Sequence, residues 1–186
     1  MRNRLFAIAT AMLLLLPLAV SAQKDVKTLW IEHGARRIFG KHYKPSNAEG
    51  KQPIVIVSHG FNGTHHFAQN YFKPLGDLGY QVYCFDFPCG SIKSQSDNNT
   101  MNMSIEDEVS DVQAIVNYFR KQKDIDRKQI VLIGESQGGL VSALASARMP
   151  KTISQTILIY PAFCIPDNGN SRYPRIEDIP DTTRLW

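Results

Sequence analysis

Cysteine is scarce in this chain, no charge sign dominates, and there is no repeat. Three cysteines among 186 residues are too few for a disulfide scaffold, and 12 Gly with 10 Pro in no periodic pattern exclude collagen-like and low-complexity chains. A formal net charge of +4 is too mild to point to nucleic acid or to an anionic membrane surface. No Cys or His spacing fits a zinc pattern, so no metal is expected. What is present is globular: 43% hydrophobic, 20% charged and 10% aromatic residues, enough for one domain with a sizeable core.

The first 22 residues read as a secretory signal peptide. Arg2 and Arg4 make a positive start, Leu5 to Val20 is apolar, and Val20-Ser21-Ala22 is a small-residue cleavage site. The apolar run has 16 residues, interrupted by Thr10 and Pro17, where a membrane-spanning helix needs about 20. A membrane anchor is therefore not expected, and residues 23–186 are read as the mature domain, exported to the periplasm or beyond. Export allows cysteines to pair, yet Cys84, Cys89 and Cys164 are odd in number, and Cys84 sits in an apolar run as a small buried hydrophobe would. Asn62, Asn98 and Asn102 begin N-x-S/T triplets, which matter only in a host that glycosylates exported proteins.

Strand and helix patterns then alternate. Leu29 to Tyr43 suggests two short antiparallel strands, and Ile54 to Val57 is a β-branched run suited to a strand covered on both faces. Phe67 to Leu78 predicts a helix ended by Gly79, and Gln81 to Phe85 the next strand. Pro88 to Thr100 is a loop rich in Gly, Ser, Asn and Asp. Ser104 and Asp107 resemble a capping box, and Ile105, Val109, Val112, Val116 and Phe119 share one helix face. Ile130 to Ile133, Leu140 to Ala147 and Thr156 to Tyr160 predict strand, helix and strand. This order predicts an α/β fold with a mostly parallel sheet and helices on both faces.

Gly134-Glu135-Ser136-Gln137-Gly138 lies between such a strand and such a helix. The pattern G-x-S-x-G in that place is a nucleophile elbow, in which the serine occupies a strained turn at the carboxyl end of the strands and the flanking glycines allow the chain to fold back. His59-Gly60-Phe61 follows the Ile54 to Val57 strand. The backbone N–H groups of Gln137 and Phe61 are the expected oxyanion pair, each worth about 3–4 kcal/mol in a transition state that places negative charge on a carbonyl oxygen. His59 itself reads as a residue shaping the turn. His65 and His66, adjacent in sequence, do not face one metal site on a helix and are expected to flank a helix start on the rim that carries Ser136.

With the HGF loop, Phe85-Asp86-Phe87, the loop containing Ser94 to Asp97, and GESQGG at 134–139, residues 29–165 resemble the α/β-hydrolase family. The chain is most similar to bacterial esterases of the cinnamoyl/feruloyl type, and it is also similar to serine aminopeptidase-like hydrolases. The resemblance implies Ser136 as nucleophile, Phe61 and Gln137 as oxyanion donors, a small-molecule ester or acyl substrate, and no cofactor. Ile159 to Phe163 resembles the end of the family's sixth strand of eight.

A serine hydroxyl needs a base to take its proton, and in this fold the order is Ser, then Asp or Glu, then His. His33, His42, His59, His65 and His66 all precede Ser136, so no residue takes the expected place of the base. Asp167 could be an acid in a variant arrangement, but Pro166-Asp167-Asn168-Gly169 has the composition of a solvated turn. Two further strand-helix units, about 60 residues, would be expected beyond Trp186 to carry acid and base, so the fold is read as lacking its last units. A base borrowed from His65 or His66 is the lesser alternative. The sequence thus supports an exported carboxylic-ester hydrolase, with an aminopeptidase or amidase as its neighbour in chemistry. It leaves open a remnant without the catalytic histidine. A secreted adhesion domain would leave both motifs unexplained.

Overall fold

A computed structural model of the chain describes residues 25–46, 49–100 and 102–163. The expected leader, Cys164 and Asp167 lie outside these residues. Among the described residues, six strands form one sheet: β1 (Val26–His33), β2 (Arg36–Tyr43), β3 (Gln52–Ser58), β4 (Gln81–Phe85), β5 (Ile125–Glu135) and β6 (Gln155–Ile159). Their spatial order is β1-β2-β4-β3-β5-β6. β1 and β2 form the antiparallel hairpin, β2 meets β4 antiparallel, and β4, β3, β5 and β6 run parallel. The expected mostly parallel sheet is therefore present among the described residues.

The two-fold period of a strand distributes its side chains between two cores. Ile54 and Ile56 of β3, Tyr83 and Phe85 of β4, and Ile130 and Leu132 of β5 enter one cluster. Val55, Val57, Val82, Cys84, Val131 and Ile133, the residues in between, enter the other. The continuous apolar runs are thus strands covered on both sides. Cys84 is fully buried and a free thiol, its pKa pushed up to about 12 by burial.

Among the described residues, three α-helices cover the sheet: α1 (Phe72–Asp77), α2 (Ile105–Arg120) and α3 (Gln137–Arg148). α2 and α3 supply Val109, Val112, Val116, Phe119, Val141 and Ala145 to the first cluster, and Phe72 of α1 joins the second. Ser104 caps α2 by accepting the Asp107 N–H at 3.0 Å, and Glu106, Asp107 and Glu108 occupy the positive end of the helix dipole.

The helix expected over Phe67 to Leu78 is divided into a 3-10 segment, His65–Tyr71, and α1. Pro74 explains the division, because it lacks the N–H that a continuous helix would bond to the Asn70 carbonyl. Gly79, at φ +84°, makes the turn into β4. β5 starts at Ile125, five residues before the apolar run that marks it in sequence, because Ile125 pairs with Gln52 across a register shift. Among the described residues, no helix is long and apolar enough to cross a membrane.

Candidate active site

Ser136 stands between the end of β5 and the first turn of α3 with φ 52° and ψ −119°, a backbone conformation that L-residues rarely adopt. Contacts on both sides hold it there. Its N–H donates to the Ile159 carbonyl at 3.0 Å, and its carbonyl accepts from the N–H groups of Gly139, Leu140 and Ala162 at 3.0, 3.2 and 2.8 Å. The strained residue is thereby tied to the end of β6 as well as to its own helix.

The two glycines of the elbow are required by close approach. A Cβ on Gly134 would meet the Gly138 carbonyl oxygen at 2.2 Å, and one on Gly138 would meet the carbonyl oxygens of His59 and Ser58 at 2.4 and 2.5 Å. Gly138 therefore brings α3 against the loop that leaves β3, and Gly60 of that loop packs on Ser136. Phe61 follows directly and is half exposed. The structure thus brings Ser136, Gln137, Gly134, Gly138 and the Gly60-Phe61 segment together at the carboxyl ends of β3 and β5. Gln137 is the first residue of α3, where backbone N–H groups precede the helix's own bonding pattern.

Among the described residues, no histidine is hydrogen-bonded to Ser136. The His59 ring is buried, with Nδ1 2.7 Å from the Gly60 carbonyl oxygen and Nε2 accepting the Phe87 N–H at 3.2 Å. This places its proton on Nδ1, and burial lowers its pKa, so it is a neutral brace of the turn. The buried Asp86 Oδ1 accepts from both the His65 backbone N–H and its Nδ1–H, at 2.6 and 2.7 Å, while Oδ2 accepts the Gln95 N–H at 2.8 Å. Burial alone would raise the Asp86 pKa, but these bonds outweigh it and hold the carboxyl below its ordinary value. His66 is exposed beside Gln69, His33 bonds Ser110, and His42 bonds Gln81. His65 does open a helical segment on the loop after β3, as expected, but neither it nor His66 is hydrogen-bonded to the nucleophile.

One contact was not anticipated. The Gln137 side chain turns inward and donates from Nε2 to Glu108 Oε2 at 2.7 Å, with Met103 Sδ at 3.0 Å. Glu108 is 1% exposed, and burial, with added repulsion from Asp111 and Asp107, pushes its pKa up to about 8 despite the Gln137 bond. Its place could have been found in sequence, since it lies three residues after Ile105 on the apolar side of α2.

Residues 49–180 match the family model described as serine aminopeptidase, S33. The structure of Est1E from Butyrivibrio proteoclasticus with ferulic acid bound is 26% identical, with a TM-score of 0.66 over 75% of this chain and 55% of that one. Acetyl xylan esterase 1 from Thermoanaerobacterium sp. JW/SL YS485 is 23% identical, with a TM-score of 0.59 over 73% and 48% of the two chains. The α/β hydrolase GrgF from Penicillium sp. sh18 is 20% identical, with a TM-score of 0.67 over 77% and 48%. The chain spans about half the length of these structures. No curated protein matches it in sequence.

Proposed function

The chain belongs to the serine aminopeptidase S33 family of α/β hydrolases, and on that premise we propose that it cleaves carboxylic esters through an acyl-enzyme on Ser136. The observation that carries this reading is the conformation of Ser136, a strained residue held at the strand-helix turn with the Gly60 loop against it. Strain of this kind costs about 1–3 kcal/mol, and it persists where the surroundings impose it.

In the proposed reaction, Ser136 Oγ bonds to the ester carbonyl carbon as a base takes its proton. The carbonyl oxygen becomes an oxyanion that the Phe61 and Gln137 backbone N–H groups stabilise. The tetrahedral intermediate collapses by breaking the bond to the leaving oxygen, which receives the proton. Water then repeats the sequence on the acyl-enzyme, and Oγ leaves with a proton. Among the described residues no histidine is hydrogen-bonded to Ser136, four of the five being engaged in buried or partly buried contacts elsewhere while His66 lies exposed beside Gln69.

That engagement favours a second reading, in which Ser136 keeps its geometry but lacks an activating base and does not turn over. A third outcome is an aminopeptidase or amidase on the same scaffold. Assaying the protein and Ser136→Ala on a short-chain p-nitrophenyl ester and on an aminoacyl p-nitroanilide separates all three. Ser136-dependent ester turnover supports the proposal, faster amide turnover supports the peptidase, and neither supports the inactive chain. The positive start, apolar run and Val20-Ser21-Ala22 further support export.

A further inference from the structure

Behind the elbow lies a buried carboxyl that the reaction scheme does not use. Glu108 projects from the first turn of α2, and its Oε2 accepts the Gln137 side-chain N–H at 2.7 Å. On its other side it meets the loop after β4: a Cβ on Gly90 would lie 3.3 Å from Oε1. The Gly90 carbonyl accepts the Asn62 N–H at 3.1 Å, and Asn62 is also held through its Oδ1 by the Ser91 hydroxyl at 3.0 Å. Asn62 follows Phe61. Glu108 therefore touches Gln137 directly and lies beside Gly90, whose carbonyl holds the neighbour of Phe61.

We propose that Glu108 is a positioning residue for the oxyanion hole, fixing the first residue of α3 and the loop that carries Phe61 relative to each other. The inference rests on the esterase reading of Ser136. A carboxyl in this place can serve two ends at once. Its oxygen accepts the amide that orients Gln137, and while it is protonated it adds no negative charge behind a site where negative charge develops. Among the groups that face it, Asp107 and Asp111 on α2 are acidic, whereas Met103, Gly90 and Gln137 are uncharged. The acidic neighbours disfavour its ionised form, in the same direction as burial.

The test compares the full chain with Glu108→Gln and Glu108→Leu on a short-chain p-nitrophenyl ester, measuring kcat and KM from pH 6 to 9.5 beside thermal melting. The Gln variant keeps an oxygen acceptor of the same shape, and its kcat is expected within about threefold of the parent at pH 7. The Leu variant removes the acceptor, and its kcat is expected to fall at least about tenfold with KM within about twofold. Above about pH 8 the parent's kcat is expected to decline as the carboxyl ionises, and that decline is expected to be absent in the Gln variant. Should the Leu variant fail to fold, the difference between the parent and Gln profiles decides alone. A folded Leu variant with the parent's kcat, or identical pH profiles for parent and Gln variant, overturns the inference while leaving the esterase reading intact. A parent with no Ser136-dependent turnover overturns both.

Discussion

Gly60 and Ser136 are in contact across the site: a methyl group on Gly60 would lie 3.1 Å from Ser136 Cβ and 3.7 Å from its Oγ. The 3.1 Å approach is tighter than ordinary van der Waals contact, so a side chain at position 60 shifts Ser136 or the loop that carries Phe61 by a few tenths of an ångström. Gly60→Ala is therefore expected to lower kcat/KM on a p-nitrophenyl ester about 10- to 100-fold, as small misplacements of catalytic groups do. Urea unfolding is expected to show a cost of only about 1–3 kcal/mol. Unchanged kinetics would place the oxyanion donors elsewhere.

The φ of 52° at Ser136 predicts an exchange of activity against stability. Ser136→Gly relieves about 1–3 kcal/mol of backbone strain, offset by about 0.5–1 kcal/mol from the freer unfolded glycine. It is expected to be inactive and about 1 kcal/mol more stable than the parent in urea titration. Ser136→Ala, equally inactive, keeps the strain and should show no such gain.

Glu108 predicts a pH dependence of stability. In the folded protein its carboxyl keeps its proton until about pH 8, whereas in the unfolded chain it releases it near 4.5. Between these values the folded state binds more protons, so this group's contribution makes stability fall as pH rises through the window. Asp111, pushed up to about 7, acts in the same direction. Melting temperatures from pH 4.5 to 8.5 should show Glu108→Gln gaining on the parent steadily up to about pH 8. A constant difference across that range contradicts a buried, protonated Glu108.

His59 predicts the opposite limb. Its pKa is lowered by burial, and protonating Nε2 would set an N–H against the Phe87 N–H that it now accepts. Its contribution to stability is present above the ordinary value of 6.5 and is lost as pH falls below it. His59→Gln is expected to melt with a shallower decline from pH 6.5 to 4.5. If the ester reaction proceeds, Ser136-dependent turnover and the apparent pKa of its kcat/KM profile should persist in this variant, whereas loss of turnover in a folded variant would point to His59 as the base.

The parts of the fold that repeat were readable in the residues. Ile54 to Val57 read as a strand covered twice because the run is β-branched, and Ser104 with the Ile105 to Phe119 stripe marked α2, because both signals are local in the chain. The elbow was readable for the same reason, with its glycines and serine fixed within five residues. Pro74 was the local signal that divides the predicted helix. What sequence could not supply were contacts between distant segments: the His59 ring reaching Phe87, Asp86 gathering His65 and Gln95, and Glu108 meeting Gln137 29 residues away. Each is a polar group satisfied in the interior, and its partner is set by the packing of elements that no local pattern specifies.

The most direct test is covalent. Treating the full chain with diethyl p-nitrophenyl phosphate, followed by intact-mass and peptide analysis, is expected to give one diethylphosphoryl group on Ser136 with release of one p-nitrophenolate, and none on Ser136→Ala. No adduct, or an adduct on another residue that survives in Ser136→Ala, would contradict Ser136 as an activated nucleophile.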